Sequence, residues 1–316
     1  MRIILDTDPG VDDALAIMYL AAQEDAEIVA VGSVHGNVPS PLAAQNALRV
    51  LELLGIEAPV AIGAARPLAQ PLQTAEFVHG ADGLGGRAGA PPLGTPVSES
   101  AAEQLVRLAR AQPGELTLLA LGPLTNIALA VLLEPDLPKL LRSVVIMGGA
   151  VSVPGNITPY ADANFFHDPE AADLVLGAGF GDITLVGLDA TEQTRAGEEW
   201  LTAVSGLPGP RAEFATGLLD HYAGFYTQMF GTRGCTLHDP LAAAIMLDTK
   251  LATFRDMPLA VELTGTHTRG QVVSDQRVIA SDAYIASGHS SGRLPVKVAE
   301  TVDVPRFLEQ MYQALT

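Results

Sequence analysis

Residues 2–22 read RIILDTDPGVDDALAIMYLAA. RIILD (2–6) is a short apolar run of strand length, TDPG is a turn, and Asp12 to Ala22 has the length and pattern of a helix. The strand carries apolar residues at consecutive positions, which suits a parallel sheet covered on both faces. Similar runs recur as EIVAVGSV (27–34), APVAIG (58–63), LTLLALG (116–122), SVVIMGG (143–149) and DITLVGL (182–188). Helices are expected between them at Pro41–Leu54, Ala101–Ala111, Asn126–Leu133 and Pro169–Gly177. Ser100 with Glu103 reads as a capping box, and Gly55 and Gly177 sit where helix C-caps belong. The expected fold class is α/β, an open, mostly parallel sheet with helices on both faces.

Two stretches break this rhythm. GADGLGGRAGAPPLGTP (80–96) is rich in Gly and Pro and reads as a long surface loop, a length that often serves function. LAVELTGTHTRGQVVSD (259–275) reads as a small antiparallel hairpin, with IASGHSSGRLPVKVAE (285–300) continuing it. No linker, internal repeat or low-complexity tract interrupts residues 1–316, so one domain is expected.

The 316 residues are 48% hydrophobic, 17% charged and 5% aromatic, enough apolar surface for a large core. A formal net charge of −18, with Lys and Arg never clustered, argues against nucleic acid and anionic membranes as partners. Small neutral ligands and cations fit better. The N-terminus lacks the features of a signal peptide and no apolar run reaches spanning length, so a cytoplasmic location is expected. Cys235 is the single cysteine, which excludes an internal disulfide and a zinc-thiolate cluster.

Chemistry gathers at the carboxyl ends of the strands, where open α/β sheets bind ligands. Asp6, Asp8, Asp12 and Asp13 follow the first strand, His35-Gly36-Asn37 the second, Gly122 to Asn126 the fourth, and Gly148-Gly149 then Gly155-Asn156 the fifth. Crowded carboxylates call for a cation, and oxygen ligands select a hard one, calcium or magnesium. The competing reading makes Asp12 and Asp13 helix-capping acids, and Asp6 structural. An EF-hand fails, because Gly10 and Ile17 fall at ligand positions. Asp239, before Pro240 in CTLHDPLAAA (235–244), reads as a helix cap or a ligand, and His238 as a packed loop residue or a site residue.

These motifs resemble those of the inosine-uridine type nucleoside hydrolases. The signature DTDPGVDDA (6–14) is followed, in the family's order, by GNV (36–38), HGADGLGG (79–86), LGPLTNIA (121–128), MGGAV (147–151), GNITPYADANFFHDPEAA (155–172) and HDPLAAA (238–244). The resemblance implies a Rossmann-like nucleoside hydrolase fold and hydrolysis of the N-glycosidic bond of purine or pyrimidine ribonucleosides, with a calcium ion in the pocket. It implies Asp8, Asp13, Asp239 and the carbonyl of Leu121 as metal ligands, with Asp8 also the general base. Asp12, Asn37, Asn156 and Asn164 are similar to the residues that bind ribose. His79 and His238 correspond to the histidines near the base, His238 being the candidate acid. The family also implies a homo-oligomer, dimer or tetramer.

The chemistry of such a reaction suits these residue types. Cleavage develops an oxocarbenium-like sugar and a negative leaving base, so carboxylates belong at the sugar and a proton donor beyond it. One departure stands out. Asp162 occupies the place of a usual Glu, which shortens that sugar-binding carboxylate by one methylene, and Ala163 replaces an aromatic found in many members. Tyr222 and Tyr226, one helical turn apart, either face the base or pack in a helix. His35 reads as structural, and His167, His221, His267 and His289 follow no partner pattern. Trp200 and Cys235 read as core or loop residues. Two rival functions remain at this level: a nucleoside- or sugar-binding protein without turnover, and a haloacid-dehalogenase-like phosphatase suggested by Asp6-Thr7-Asp8.

Overall fold

Along the first strand, β1 (Arg2–Thr7), side chains alternate between two hydrophobic layers. Ile3 and Leu5 enter one core and Ile4 the other. The same alternation aims Thr7 at the helix Val11–Ala21 and Asp6 at the opposite face, where Ala101 packs. The computed structural model describes residues 1–275 and 292–316.

The strands that follow are β2 (Glu27–Ser33), β3 (Val60–Ile62), β4 (Leu116–Ala120), β5 (Ser143–Met147), β6 (Ile183–Val186), β7 (Arg195–Gly197), β8 (Gly234–Thr236), β9 (Ala252–Met257), β10 (Leu259–Val261), β11 (Val272–Ser274) and β12 (Val296–Val302). Eight of them form one sheet in the order β3-β2-β1-β4-β5-β6-β12-β9. Every pairing in it is parallel except β12 with β9. All six strands expected from the apolar runs are present, within a residue or two at each end.

The helices Val11–Ala21, Ser40–Leu54, Pro210–Phe230, His238–Leu247 and Val304–Ala314 cover one face. Ala101–Ala111, Thr125–Leu133 and Pro169–Gly177 cover the other. Ser100 and Glu103 form the capping box, and Gly55 ends its helix with a left-handed φ of 68°. Gly177 differs from expectation: it is the last helical residue, and the left-handed turn comes at Gly179.

The expected hairpin is β10 with β11, in register Leu259↔Ser274 to Val261↔Val272. Its expected continuation is corrected. Residues 296–300 belong to β12, which enters the main sheet between β6 and β9 because Val296 and Val298 are needed in the second core; His289 lies outside the described residues. Among the described residues no helix is long and apolar enough to cross a membrane.

Strand order places the site. The chain runs from β1 outward to β2 and β3, then returns to place β4 on the other side of β1. Loops leaving the adjacent ends of β1 and β4 therefore diverge, which opens a crevice at this switch point. Asp6 pairs with Ala120 across it, and the Leu121 amide donates to the Asp6 carbonyl at 2.8 Å.

Candidate active site

Asp8, Asp12 and Asp13 leave β1 and enter the helix Val11–Ala21, and Asp239 opens the helix His238–Leu247 packed beside it. All four are buried. Carboxylate oxygens of Asp12, Asp13 and Asp239 lie within 4.8 Å of one another, a spacing that suits a metal ion. This trio includes Asp12, where the family resemblance implies Asp8.

Asp13 is held most firmly. Its Oδ1 accepts from the Thr7 hydroxyl and the Asp8 amide, and its Oδ2 from Gly10 N and Asn37 Nδ2, both at 2.9 Å. Asp8 uses one oxygen only: Oδ2 accepts from Asn37 N at 2.6 Å, and Oδ1 has no hydrogen-bond partner among the described residues. Glycines line this carboxylate closely. A Cβ on Gly36 would stand 1.9 Å from Asp8 Oδ2, and one on Gly122 2.5 Å from Oδ1. Asp12 Oδ1 is likewise without a donor, while Oδ2 lies 3.5 Å from the Tyr222 hydroxyl.

Burial and mutual repulsion raise these carboxyls. Burial followed by the Asp13 charge pushes Asp12 to about 8, and the same two causes raise Asp8 well above the carboxylate range. Burial, then the charges of Asp12, Asp13 and Asp8, raises Asp239. A cation would reverse this balance. The donor set is oxygen-only and includes buried oxygens without donors, so these residues fit a hard ion.

Beside Asp12 stands an aromatic wall. Tyr222 and Tyr226 lie on the helix Pro210–Phe230, buried, with rings 5.1 Å apart and nearly perpendicular. Tyr226 Oη is 3.1 Å from His238 Nε2, whose other nitrogen is 2.8 Å from the Thr191 hydroxyl. Burial lowers His238 to about 4, so its imidazole is neutral. His79 stacks at 5.7 Å from Tyr222, and its Nδ1 accepts the Val11 amide at 3.1 Å, which leaves the proton on Nε2. Burial lowers His79 to about 3, so its 3.8 Å approach to Asp12 is not an ion pair.

The sequence model of the inosine-uridine preferring nucleoside hydrolases matches residues 3–309. The chain belongs to this family. A probable uridine nucleosidase 2 of Arabidopsis thaliana is 37% identical over 317 residues, spanning 99% of this chain and 97% of its own. A pyrimidine-specific ribonucleoside hydrolase RihA of Shewanella woodyi is 39% identical over 276 residues, 87% of this chain and 88% of its own. The solved plant nucleoside hydrolase PpNRh1 superposes with a TM-score of 0.92 at 33% identity, covering 100% of this chain and 98% of that one. The protein is thus an enzyme, a ribonucleoside hydrolase, and the phosphatase reading falls away.

In this nucleoside hydrolase the remaining expected residues divide. Asn164 is at the crevice: its Nδ2 donates to the carbonyls of Leu121, at 2.7 Å, and Met147, at 3.1 Å. Asp162 is buried but committed to the backbone. It caps the helix Ala163–His167 by accepting from Asn164 N and Phe165 N, and it also accepts from Gly149 N at 2.6 Å. The shorter side chain is what lets it cap, since an N-cap oxygen must reach amides two and three residues ahead. Asn156 is exposed and braces its own loop through Ala163 N at 2.9 Å.

Loop 80–96 is held down by Asp82, whose carboxylate accepts from Leu84, Gly86 and Ala88 amides. Asn46 Nδ2 joins this loop to Pro9 at the site. Asn46, Thr7 and Thr191 were not legible as site residues: an amide inside an amphipathic helix and isolated threonines carry no pattern. His167 is buried, His221 bonds the Val78 carbonyl and His267 is exposed. Trp200 Nε1 bonds the Leu308 carbonyl, and Cys235 is buried in β8.

Proposed function

We propose that this enzyme hydrolyses pyrimidine ribonucleosides, uridine first among them, with calcium held by Asp8, Asp13, Asp239 and the Leu121 carbonyl. The observation that carries the reading is the buried Asp8 carboxylate, one oxygen anchored to Asn37 and the other without a donor, beside Asp13 and Asp239. Relatives described as uridine nucleosidase and pyrimidine-specific hydrolase support the choice of base.

When bound, a calcium ion supplies positive charge that orients a water molecule and favours its deprotonation. The chain's own groups do the rest. Asp8 Oδ1 takes the proton of the attacking water, and Asn37 N fixes the carboxylate's orientation through Oδ2. Asp12 and Asn164, with Asn37, bind the ribose hydroxyls, and binding energy from that diol is available to favour the flattened, oxocarbenium-like sugar. A 2′-deoxyribonucleoside is therefore a poor substrate. His79, Tyr222 and Tyr226 hold the base, and His238, neutral at rest, takes up a proton from solvent before its Nε2, bonded to Tyr226, passes one to the departing nitrogen. Asn156 and Asp162 act on this site by shaping the loop that bears Asn164.

We further propose one domain across residues 1–316, a cytoplasmic location and a homo-oligomer, dimer or tetramer, whose mass in solution gives the check. The function is tested by ribose release from uridine, cytidine, inosine and adenosine, before and after chelation and calcium return. Release that is fastest with uridine, vanishes with chelator and returns with calcium is the expected result. Binding without release would favour a ligand-binding role instead.

A further inference from the structure

Three buried side chains outside the chemistry above form a hydrogen-bonded line beneath it. Thr125 Oγ1 lies 2.6 Å from Asp168 Oδ2 and 3.0 Å from His35 Nε2. His35 and Asp168 have no exposed surface, and Thr125 has 1%. Asp168 also accepts from Leu68 N at 3.0 Å and Ala171 N at 3.1 Å, so three donors hold it as an acceptor. A hydroxyl has one hydrogen to give. Thr125 gives it to Asp168 and must receive from His35, which puts the His35 proton on Nε2. His35 Nδ1 is then a bare lone pair, and it has no hydrogen-bond partner among the described residues.

Each of the three sits on a different loop of the site. His35 is two residues before Asn37, which holds Asp8 and Asp13. Thr125 opens the helix Thr125–Leu133, four residues beyond Leu121. Asp168 directly follows the helix Ala163–His167, which carries Asn164, and Asn164 donates to the Leu121 carbonyl. The contacts close a ring: Leu121 to Asn164, along the helix to Asp168, across to Thr125 and back through Gly122-Pro123-Leu124. His35 ties that ring to the β2 loop. A constellation on separate loops needs such support to keep its spacing.

We propose that the Thr125 hydroxyl is the joint of a buried His35–Thr125–Asp168 strut, which positions the Leu121 carbonyl and Asn37 around the aspartates. The three are positioning residues, and the inference rests on the reading that Leu121 and Asn37 belong to the catalytic site.

The test uses the full chain and two substitutions. Thr125→Val keeps the shape and removes the hydroxyl, and Thr125→Ser keeps the hydroxyl. Long-range proton–nitrogen NMR of the histidine rings reports the His35 tautomer without reference to activity. The expected result is Nε2–H in the wild type and Thr125→Ser, with that signature lost in Thr125→Val. For uridine hydrolysis, Thr125→Val is expected to lower kcat at least tenfold with a smaller change in KM, and to weaken the calcium midpoint of a thermal-shift titration at least fivefold. Thr125→Ser is expected to stay within threefold on both.

Wild-type-like kcat and calcium midpoint in Thr125→Val would overturn the proposal. So would equal losses in both variants, or an Nδ1–H tautomer at His35 in the wild type. If Thr125→Val does not fold, Thr125→Ala takes its place, since it also removes the hydroxyl, with loss of the tautomer signature and of kcat expected and wild-type values overturning. A wild type that releases no ribose and shows no calcium shift would defeat the catalytic reading and the positioning claim with it, while the NMR result would still report the strut itself.

Discussion

The Tyr226 hydroxyl and the His238 imidazole face each other at 3.1 Å, one near the end of the helix Pro210–Phe230 and the other at the start of the next helix, His238–Leu247, with only the short β8 between them. A proton leaving His238 Nε2 has the phenol as its neighbour. His238→Ala is expected to slow uridine cleavage by about 10²–10⁴-fold, the usual range for a lost general acid. A nitrophenyl riboside, whose leaving group needs no proton, should lose far less. Equal loss on both substrates would remove His238 from proton donation. Tyr226→Phe should show the same asymmetry more weakly.

Asp8→Asn is expected to fold, since the amide oxygen can still accept from Asn37 N. It should lose turnover by about 10²–10⁴-fold as a lost general base. Its metal-free melting temperature should rise, because one charge leaves a cluster in which Asp13 and Asp12 both raise the Asp8 pKa. Ribose release and a melting curve check the two halves, and near-normal turnover would deny Asp8 its role.

The calcium contribution to stability should grow with pH. Burial and Asp13 hold Asp12 at about 8, far above its unfolded value, so the stability it contributes in the metal-free protein is present at low pH and lost as pH rises through 8. Histidines work in the other direction. Burial holds His238, His35 and His167 near 4, so their contribution is present above 6.5 and lost as pH falls toward 4, with or without metal. The calcium-induced rise in melting temperature should therefore be larger at pH 8.5 than at pH 5.5. A constant increment would contradict a site made of these carboxylates.

Two glycines should respond oppositely to alanine. Gly122→Ala drives a methyl group to 2.5 Å from Asp8 Oδ1 and 2.8 Å from Val34, with an overpacking cost of about 1–3 kcal/mol and loss of activity. Gly224 lies in the exposed middle of the helix Pro210–Phe230 with nothing within 4 Å of a new Cβ. Gly224→Ala should stabilise by about 0.5–1 kcal/mol. Chemical denaturation of both variants gives the comparison.

The parallel sheet was legible because its strands are buried on both faces and so read as unbroken apolar runs. β7, β8 and β9 escaped: two have three residues, and β9 (ATFRDM) is a half-exposed edge strand. The insertion of β12 escaped because strand order depends on long-range packing that a local pattern does not carry. At the site, the aspartates and Asn37 stood out by motif, and the structure gathers them. In sequence Asp162 reads as a shortened sugar contact, but its two oxygens are spent on three backbone amides, a duty invisible until the helix at 163 is known. Thr191 and the pairing of His35 with Thr125 depend on contacts across 47 and 90 residues.

Every aspartate of the buried cluster precedes residue 240, yet the outer edge of β6 is covered only when β12, at 296–302, pairs with it. On the ribosome, the chemistry is thus spelled out long before the scaffold can close. A nascent chain stalled before residue 296 exposes an apolar strand edge beside a complete set of aspartates, the kind of edge that recruits chaperones or other chains. Vectorial synthesis makes the last strand the one that turns a list of catalytic groups into an enzyme.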